Sequence, residues 1–234
     1  MFVGHFAAAL AAKRAAPRVS LGVLFIGCQF LDLLWPVLVL AGVETVHVDT
    51  GATAFNPLVF DSYPWSHSLG MTAVWSLAAI AICKLTRCSR REAMTMAILV
   101  MSHWVLDFIS HTPDLPVWPG SDLKVGLSLW NSVAATVIIE LGFFAVGIWI
   151  FVTTAGPTRS KRRWAFWGLI GFLFLMYLAT AFGPKPNAGT PAAAIAGPAI
   201  AMWLLVAWAH WADWGKKTEE KPRPRLRPRK ERLE

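Results

Sequence analysis

The chain has 234 residues, of which 56% are hydrophobic and 15% charged, and its formal net charge is +8. A soluble globular protein is usually about 45–50% apolar, and here the charged residues are gathered into short runs. Between the runs lie apolar stretches long enough to cross a bilayer, which takes about 20 residues. The composition therefore excludes an ordinary soluble domain and predicts an all-α polytopic membrane protein.

Six membrane-spanning helices are predicted, preceded by a short N-terminal helix. Residues 2–12 are apolar but too few to cross a bilayer, so we expect a re-entrant or interfacial helix there. The predicted spans are, in chain order, 19–43, 66–84, 92–111, 128–154, 164–182 and 191–212. Residues 1–213 form a single predicted transmembrane domain, and the charged, proline-rich segment 214–234 is predicted to be a disordered tail. The turn-rich segments 44–65 and 112–127 are predicted loops that gate access to the interior.

The basic residues predict the orientation of the chain. Twenty of the 22 lysines and arginines lie in four segments, namely 13–18, 84–91, 159–163 and the tail 214–234. Because basic residues concentrate on the cytoplasmic side of membrane proteins, we expect both termini in the cytoplasm and the tail near anionic lipid. Topology thus accounts for the positive charge, and no nucleic-acid partner is predicted.

A stripe of ionisable residues occupies the third predicted span, within MSHWVLDFISH at 101–111. His103, Asp107 and His111 are four residues apart, and steps of four keep side chains on one face of a helix. Ionisable groups are costly inside a bilayer and usually mark a function there. Metal ligation, a proton relay and buried pairing are the three explanations of this stripe.

Other ionisable residues are predicted at compatible depths, taking about 1.5 Å of rise per helical residue. Asp32 and Glu140 fall in the middle to outer half of the hydrocarbon core, together with the centre of the stripe. His5 reaches a similar depth if the N-terminal helix is re-entrant, and His67 and His111 lie at the outer rim. The spans can therefore converge on a polar pocket that opens to the outer face.

The residue types in this pocket suit a divalent metal ion, with Zn²⁺ as the first choice, because imidazole nitrogens and carboxylate oxygens are its usual ligands. Such an ion makes water a nucleophile at neutral pH. A remaining carboxylate, Glu140 or Asp114, is a candidate general base. The candidate ligands are His5, Asp32, His67, His103, Asp107 and His111.

Each of these residues also has a simpler explanation. His103 and Asp107 fit a hydrogen-bonded pair that ties two helices together. His67, between two serines, fits a helix-start residue at the membrane interface. Asp32 fits a satisfied buried acid or a proton-relay group, and Glu140 fits an isolated protonated acid.

Several motifs resemble those of the bacterial inner-membrane proteins called membrane-bound metal-dependent hydrolases. They are His5 near the N-terminus, FLDLLWP with Asp32, SHSL with His67, and SHWVLDFISH with His103 and Asp107. HTPDLPVWPGS and GLSLWNS also look like a subgroup of these proteins, so the resemblance covers roughly residues 1–145.

The resemblance implies a bacterial inner-membrane location, a metal site that takes zinc, and hydrolysis of an ester or phosphoester in or near the membrane. The chain departs from the family pattern in its first span. Many members carry a Pro-Asp-x-Asp run there, where this chain has Asp32 alone. His111 or Glu140 is then a candidate replacement ligand.

The leading hypothesis is a membrane-embedded metal-dependent hydrolase whose substrate is lipid-derived or periplasmic. An ion or proton transporter or channel is the rival, because intramembrane Asp, Glu and His often line such paths. A third alternative is a non-catalytic membrane assembly protein whose polar residues only bind helices together.

Overall fold

The computed structural model describes residues 1–154 and 162–213. The predicted tail 214–234 lies outside the described residues, as does part of the basic segment 159–163. The helices of the described chain are α1 (Val3–Ala12), α2 (Leu21–Leu40), α3 (Pro64–His67), α4 (Leu69–Leu85), α5 (Arg90–Ser110), α6 (Val133–Thr154), α7 (Arg163–Phe182), α8 (Ala192–Ile200) and α9 (Met202–Asp213). The described part of the chain is therefore mainly helical.

Five stretches of the described chain are long and apolar enough to cross a membrane, namely α2, α5, α6, α7 and the segment Ala192–Asp213 that comprises α8 and α9. Helix α4 has 17 residues, which is the lower limit of the usual length of about 17–25. Helix α1 has 10 residues and cannot cross alone. The predicted class, an all-α polytopic membrane protein, is confirmed.

The predicted span 191–212 is divided into two helices. Helix α8 ends at Ile200 and α9 begins at Met202. Pro198 lies inside α8, and a proline lacks the backbone N–H needed to continue the hydrogen-bond ladder. That bond would be made to the carbonyl of Ala194, on the N-terminal side of Pro198, so the proline alone does not explain the break at Ala201.

The two predicted loops contain short strands. In segment 44–65, β1 (Thr45–Val48) pairs antiparallel with β2 (Leu58–Ser62), and Val48 lies opposite Leu58. β-branched and aromatic residues favour such pairing. In segment 112–127, β3 (Leu115–Pro116) pairs with β4 (Lys124–Val125). Both predicted loops therefore contain a short antiparallel hairpin.

Helix α1 is inserted among the spans and packs against α2, α5 and α6. Its Val3, Phe6 and Leu10 are fully buried in the main hydrophobic core. Helix α5 in turn packs against both α2 and α4. This arrangement brings the ionisable residues of α1, α2 and α5 to one place in the interior.

Candidate metal centre

Five of the six predicted ligands converge at the junction of four helices. His5 comes from α1, Asp32 from α2, His67 from α3, and His103 and Asp107 from α5. Their ligand atoms form two groups, each within 4.8 Å, and His103 belongs to both: His5 with His103 and Asp107, and Asp32 with His67 and His103. The structure thus brings His67, which was predicted at the outer rim, together with the residues predicted deeper in the membrane.

Two histidines and two carboxylates surround the middle of this centre. The Nε2 atom of His67 lies 3.4 Å from Asp32 Oδ1 and 3.7 Å from Asp107 Oδ2. The Nε2 atom of His103 lies 3.7 Å from Asp32 Oδ1 and 3.1 Å from Asp107 Oδ2. Ligand atoms about 2.0–2.1 Å from a tetrahedral Zn²⁺ are about 3.3 Å apart. The four nitrogen–oxygen separations are close to this value, but Asp32 and Asp107 belong to different groups of mutually close ligand atoms, which share His103.

The ring of His103 is held from behind by the backbone. Its Nδ1 atom lies 2.7 Å from the carbonyl oxygen of Cys28, so Nδ1 carries a proton and donates it. The Nε2 atom of His103 is buried and makes no hydrogen bond of good geometry, although Asp107 Oδ2 lies 3.1 Å away. In the neutral ring Nε2 carries a lone pair that faces the oxygens of Asp32 and Asp107. A cation between these groups would offset the repulsion between the lone pair and the carboxylates.

Helix α1 contributes a second layer on the other side of Asp107. His5 stacks on His103, and its Nε2 atom lies 3.1 Å from Asp107 Oδ1. The ammonium group of Met1 lies 2.6 Å from the same oxygen and 3.1 Å from the hydroxyl of Ser110. Asp107 thus presents Oδ1 to α1 and Oδ2 to the histidines of α3 and α5.

His111 and Asp114 form a pair beside the centre. The Nε2 atom of His111 lies 4.0 Å from Asp107 Oδ1, and its Nδ1 atom lies 3.0 Å from Asp114 Oδ1. The hydroxyl of Tyr63 donates to the same Asp114 oxygen at 2.9 Å. Burial, followed by the charge of Asp114, raises the pKa of Tyr63 well above its usual value. The structure therefore places Asp114 behind His111, outside the two ligand groups.

Glu140 holds the beginning of α1. Its Oε2 atom accepts hydrogen bonds from the backbone N–H groups of Phe2 at 2.7 Å and Gly4 at 3.3 Å. These N–H groups belong to the first turn, which has no partners within the helix. The other oxygen, Oε1, is buried without a hydrogen-bond partner. Glu140 thus lies next to the helix that carries His5.

Sequence reasoning missed Glu44 and Ser66. Glu44 is 1% exposed, and the hydroxyl of Ser66 lies 2.7 Å both from Glu44 Oε2 and from His67 Nδ1. The serine next to His67 was a signal in the sequence. Nothing in the sequence indicated a role for Glu44, because only the folded structure brings it against α3.

Asp32 is the most exposed residue of the centre: its side chain is 30% exposed, whereas those of His5, His67, His103 and Asp107 are at most 4% exposed. A separate cavity of about 200 Å³ lies over the outer loops, and its walls include Tyr63, Asp114 and Trp118. Because Asp114 forms part of its wall, this cavity borders the His111–Asp114 pair.

Comparison with protein-family models, with curated proteins and with solved structures gave no match for this chain. The resemblance to metal-dependent hydrolases therefore rests on the short motifs. The fold and the centre define a polytopic membrane protein with a largely buried cluster of histidines and aspartates, whose ligand atoms form two overlapping groups within 4.8 Å.

Proposed function

We propose that the protein is a membrane-embedded metal-dependent hydrolase that cleaves an ester or phosphoester. One observation carries the proposal: the Nε2 atoms of His67 and His103 alternate with oxygens of Asp32 and Asp107 at 3.1–3.7 Å. Two nitrogens and two carboxylate oxygens are a common ligand set for zinc. The Nε2 atom of His103 is buried and faces the oxygens of both Asp32 and Asp107, which supports the same conclusion.

The proposed ligands are His67, His103, Asp32 and Asp107, with His5 as a further candidate. These residues would hold a divalent ion, which when bound would act as a Lewis acid and favour deprotonation of water at neutral pH. Asp107 contacts His5 of α1 through Oδ1, which leaves Oδ2, on the side of His103, available as a ligand.

The proposed acceptor for a proton from water is His111. Its Nδ1–H donates to Asp114 at 3.0 Å, which leaves a lone pair on Nε2, 4.0 Å from Asp107. A carboxylate behind a histidine orients the ring and stabilises its protonated form. In this proposal Asp114 orients His111. Glu140 holds the beginning of α1, the helix that carries His5.

The proposed location is the bacterial inner membrane, with the centre towards the periplasm. The centre lies near the end of α5 that is opposite Arg90 and Arg91, and basic residues favour the cytoplasmic side. Trp65 and Trp118 on the neighbouring loops are 47% and 54% exposed, as expected of side chains at a membrane interface. The substrate is therefore proposed to be lipid-derived or periplasmic.

The metal content of the detergent-purified protein tests this proposal. We expect about one equivalent of zinc in the parent and loss of zinc in His103→Ala. His47→Ala is the matched control, because His47 is 55% exposed and pairs with Asp61 on the outer hairpin. Absence of metal from the parent, even after incubation with excess zinc or manganese, would overturn the metal centre.

Hydrolysis is tested separately with chromogenic carboxyl ester, phosphomonoester and phosphodiester probes in mixed micelles. We expect the zinc-loaded parent and His47→Ala to hydrolyse at least one class, and His103→Ala to hydrolyse none. A zinc-loaded parent that is inactive on all three would contradict the proposed reaction, although the metal centre would stand.

Proton or ion transport is the second candidate function. The observation that favours it is the buried, unpartnered Oε1 atom of Glu140, close to a cluster of ionisable groups, since such acids often accept transported protons. Flux into proteoliposomes distinguishes the two functions. A flux that is lost in Glu140→Gln, together with absence of bound metal, would favour transport.

A further inference from the structure

A chain of hydrogen bonds holds the ring of His67 from behind. The Nδ1 atom of His67 lies 2.7 Å from the hydroxyl oxygen of Ser66, and that oxygen lies 2.7 Å from Glu44 Oε2. All three residues are at most 3% exposed. The chain joins the outer hairpin segment to the candidate metal centre.

The direction of these hydrogen bonds follows from Glu44. Its other oxygen, Oε1, accepts from the backbone N–H groups of Trp65 and Ser66, both at 2.9 Å. A carboxylate can only accept, so the single hydroxyl proton of Ser66 is donated to Glu44. The carbonyl of Tyr63, at 3.5 Å, is a much longer alternative acceptor.

The tautomer of His67 is a consequence of this direction. Because the Ser66 proton is used on Glu44, the Ser66 oxygen accepts from His67, and Nδ1 of His67 carries the ring proton. Nε2 then has a free lone pair, directed at Asp32 and Asp107. Only a nitrogen with a free lone pair can bind a metal ion.

We propose that Glu44 is a positioning residue that fixes His67, through Ser66, in the tautomer able to bind a metal ion. The functional value of this tautomer rests on the proposed metal centre. The effect of Glu44 on the tautomer of His67 does not require a metal ion, so it can be measured in the metal-free protein.

The substitution Glu44→Gln is expected to reverse the direction of the hydrogen bonds from residue 44 through Ser66 to His67. The amide oxygen of Gln can keep both backbone N–H groups of Trp65 and Ser66, while its NH₂ group donates to the Ser66 hydroxyl. Ser66 then donates to Nδ1 of His67, and the ring proton moves to Nε2. The ring stays in place, but its nitrogen facing the centre can no longer act as a ligand.

The test combines a tautomer measurement with zinc affinity. Metal-free protein labelled with ¹⁵N-histidine is studied at mildly alkaline pH, and His67→Gln assigns the signal of His67. We expect an Nδ1–H tautomer in the parent and an Nε2–H tautomer in Glu44→Gln. Competition with a chelator should show zinc binding weakened about 10–100-fold, as is typical for loss of a partner behind a ligand.

Two Ser66 variants keep the proposal testable if Glu44→Gln does not fold. Ser66→Thr retains the hydroxyl and should keep the parent tautomer and zinc affinity, whereas Ser66→Ala should lose about as much affinity as Glu44→Gln. Asp61→Asn is the control, because Asp61 pairs with the exposed His47 and not with the centre. It should change neither quantity.

An unchanged tautomer and unchanged zinc affinity in Glu44→Gln, or equal behaviour of Ser66→Ala and Ser66→Thr, would overturn this inference. A parent that binds no zinc would instead overturn the proposed function. A tautomer that changes in Glu44→Gln in that case would still establish control of His67 by Glu44.

Discussion

The imidazole rings of His5 and His103 lie face to face, with centroids 3.7 Å apart and an interplanar angle of 3°. Their Nε2 atoms each lie 3.1 Å from a different oxygen of Asp107. This geometry requires that α1 be held against α5 with little tolerance. The features that fix α1 are therefore as important to the centre as its candidate ligands.

Glu140 is the first of these features, and Glu140→Ala should destabilise the protein. The change leaves the backbone N–H groups of Phe2 and Gly4 without their acceptor, and a buried unsatisfied donor costs about 1–3 kcal/mol. Glu140→Gln retains an acceptor oxygen and should lose less. Unfolding free energies in detergent measure the difference, and equal losses in the two variants would contradict the capping role.

Gly147 is the second feature. A Cβ atom at Gly147 would lie 2.7 Å from the Cα and the carbonyl oxygen of Ala7 on α1, and backbone atoms cannot move aside cheaply. Gly147→Ala should therefore push α1 away from α6 and cost about 1–3 kcal/mol of unfolding free energy. Zinc affinity should fall as well, because α1 carries His5.

Gly142→Ala is the matched control on the same helix, because a Cβ atom there meets nothing within 4 Å. Its unfolding free energy should be unchanged or slightly higher, since alanine favours a helix over glycine by up to about 1 kcal/mol. If the two variants proved equally stable, α1 would not be packed against α6 as described.

Much of the centre could be predicted because it depends on helical periodicity. The spacing of His103 and Asp107 places both on one face of α5, and counting residues placed Asp32 at a similar depth. Lateral proximity could not be predicted, because it depends on which helices pack together. The insertion of α1, which brings His5 onto His103, is determined by tertiary packing.

The loops show the opposite case. Asp114 was predicted as a general base from residue type, and the structure places it at the Nδ1 side of His111. Its position depends on the turn after α5, where Leu127 N–H bonds to the carbonyl of Phe108 and Ser128 N–H bonds to that of His111. Such contacts have no periodicity in the sequence, which is why the role of Glu44 was also missed.

Gly70 should be required for the ordered cover over the outer face. A Cβ atom at Gly70 would lie 1.6 Å from the ring of Trp118, and the N–H of Gly70 donates to the carbonyl of Val117 at 2.9 Å. Gly70→Ala should therefore displace Trp118 and segment 112–127, at a cost of about 1–3 kcal/mol. Thermal unfolding and tryptophan fluorescence measure the change.

The same substitution in a Trp118→Ala background provides the control. With the indole removed, the added methyl group has space, so Gly70→Ala should have little further effect on the unfolding free energy. A loss of the same size in both backgrounds would show that the cost of Gly70→Ala arises elsewhere than at Trp118.

Tyr63 should make the stability of the protein dependent on alkaline pH. Burial and Asp114 raise the pKa of Tyr63 well above its usual value, which is about 10 in an unfolded chain. Above that pH the unfolded chain loses the phenol proton while the folded protein keeps it, so the folded state binds more protons. The unfolding free energy must then fall as pH rises above about 10.

Tyr63→Phe removes this group and should give a shallower decline with pH. At neutral pH the variant should be less stable by about 0.5–1.5 kcal/mol, because the hydrogen bond to Asp114 is lost. The two stability curves, measured in detergent from neutral to alkaline pH, should therefore approach each other above about pH 10. Curves that stay parallel would mean that Tyr63 ionises as easily in the folded protein as in the unfolded chain.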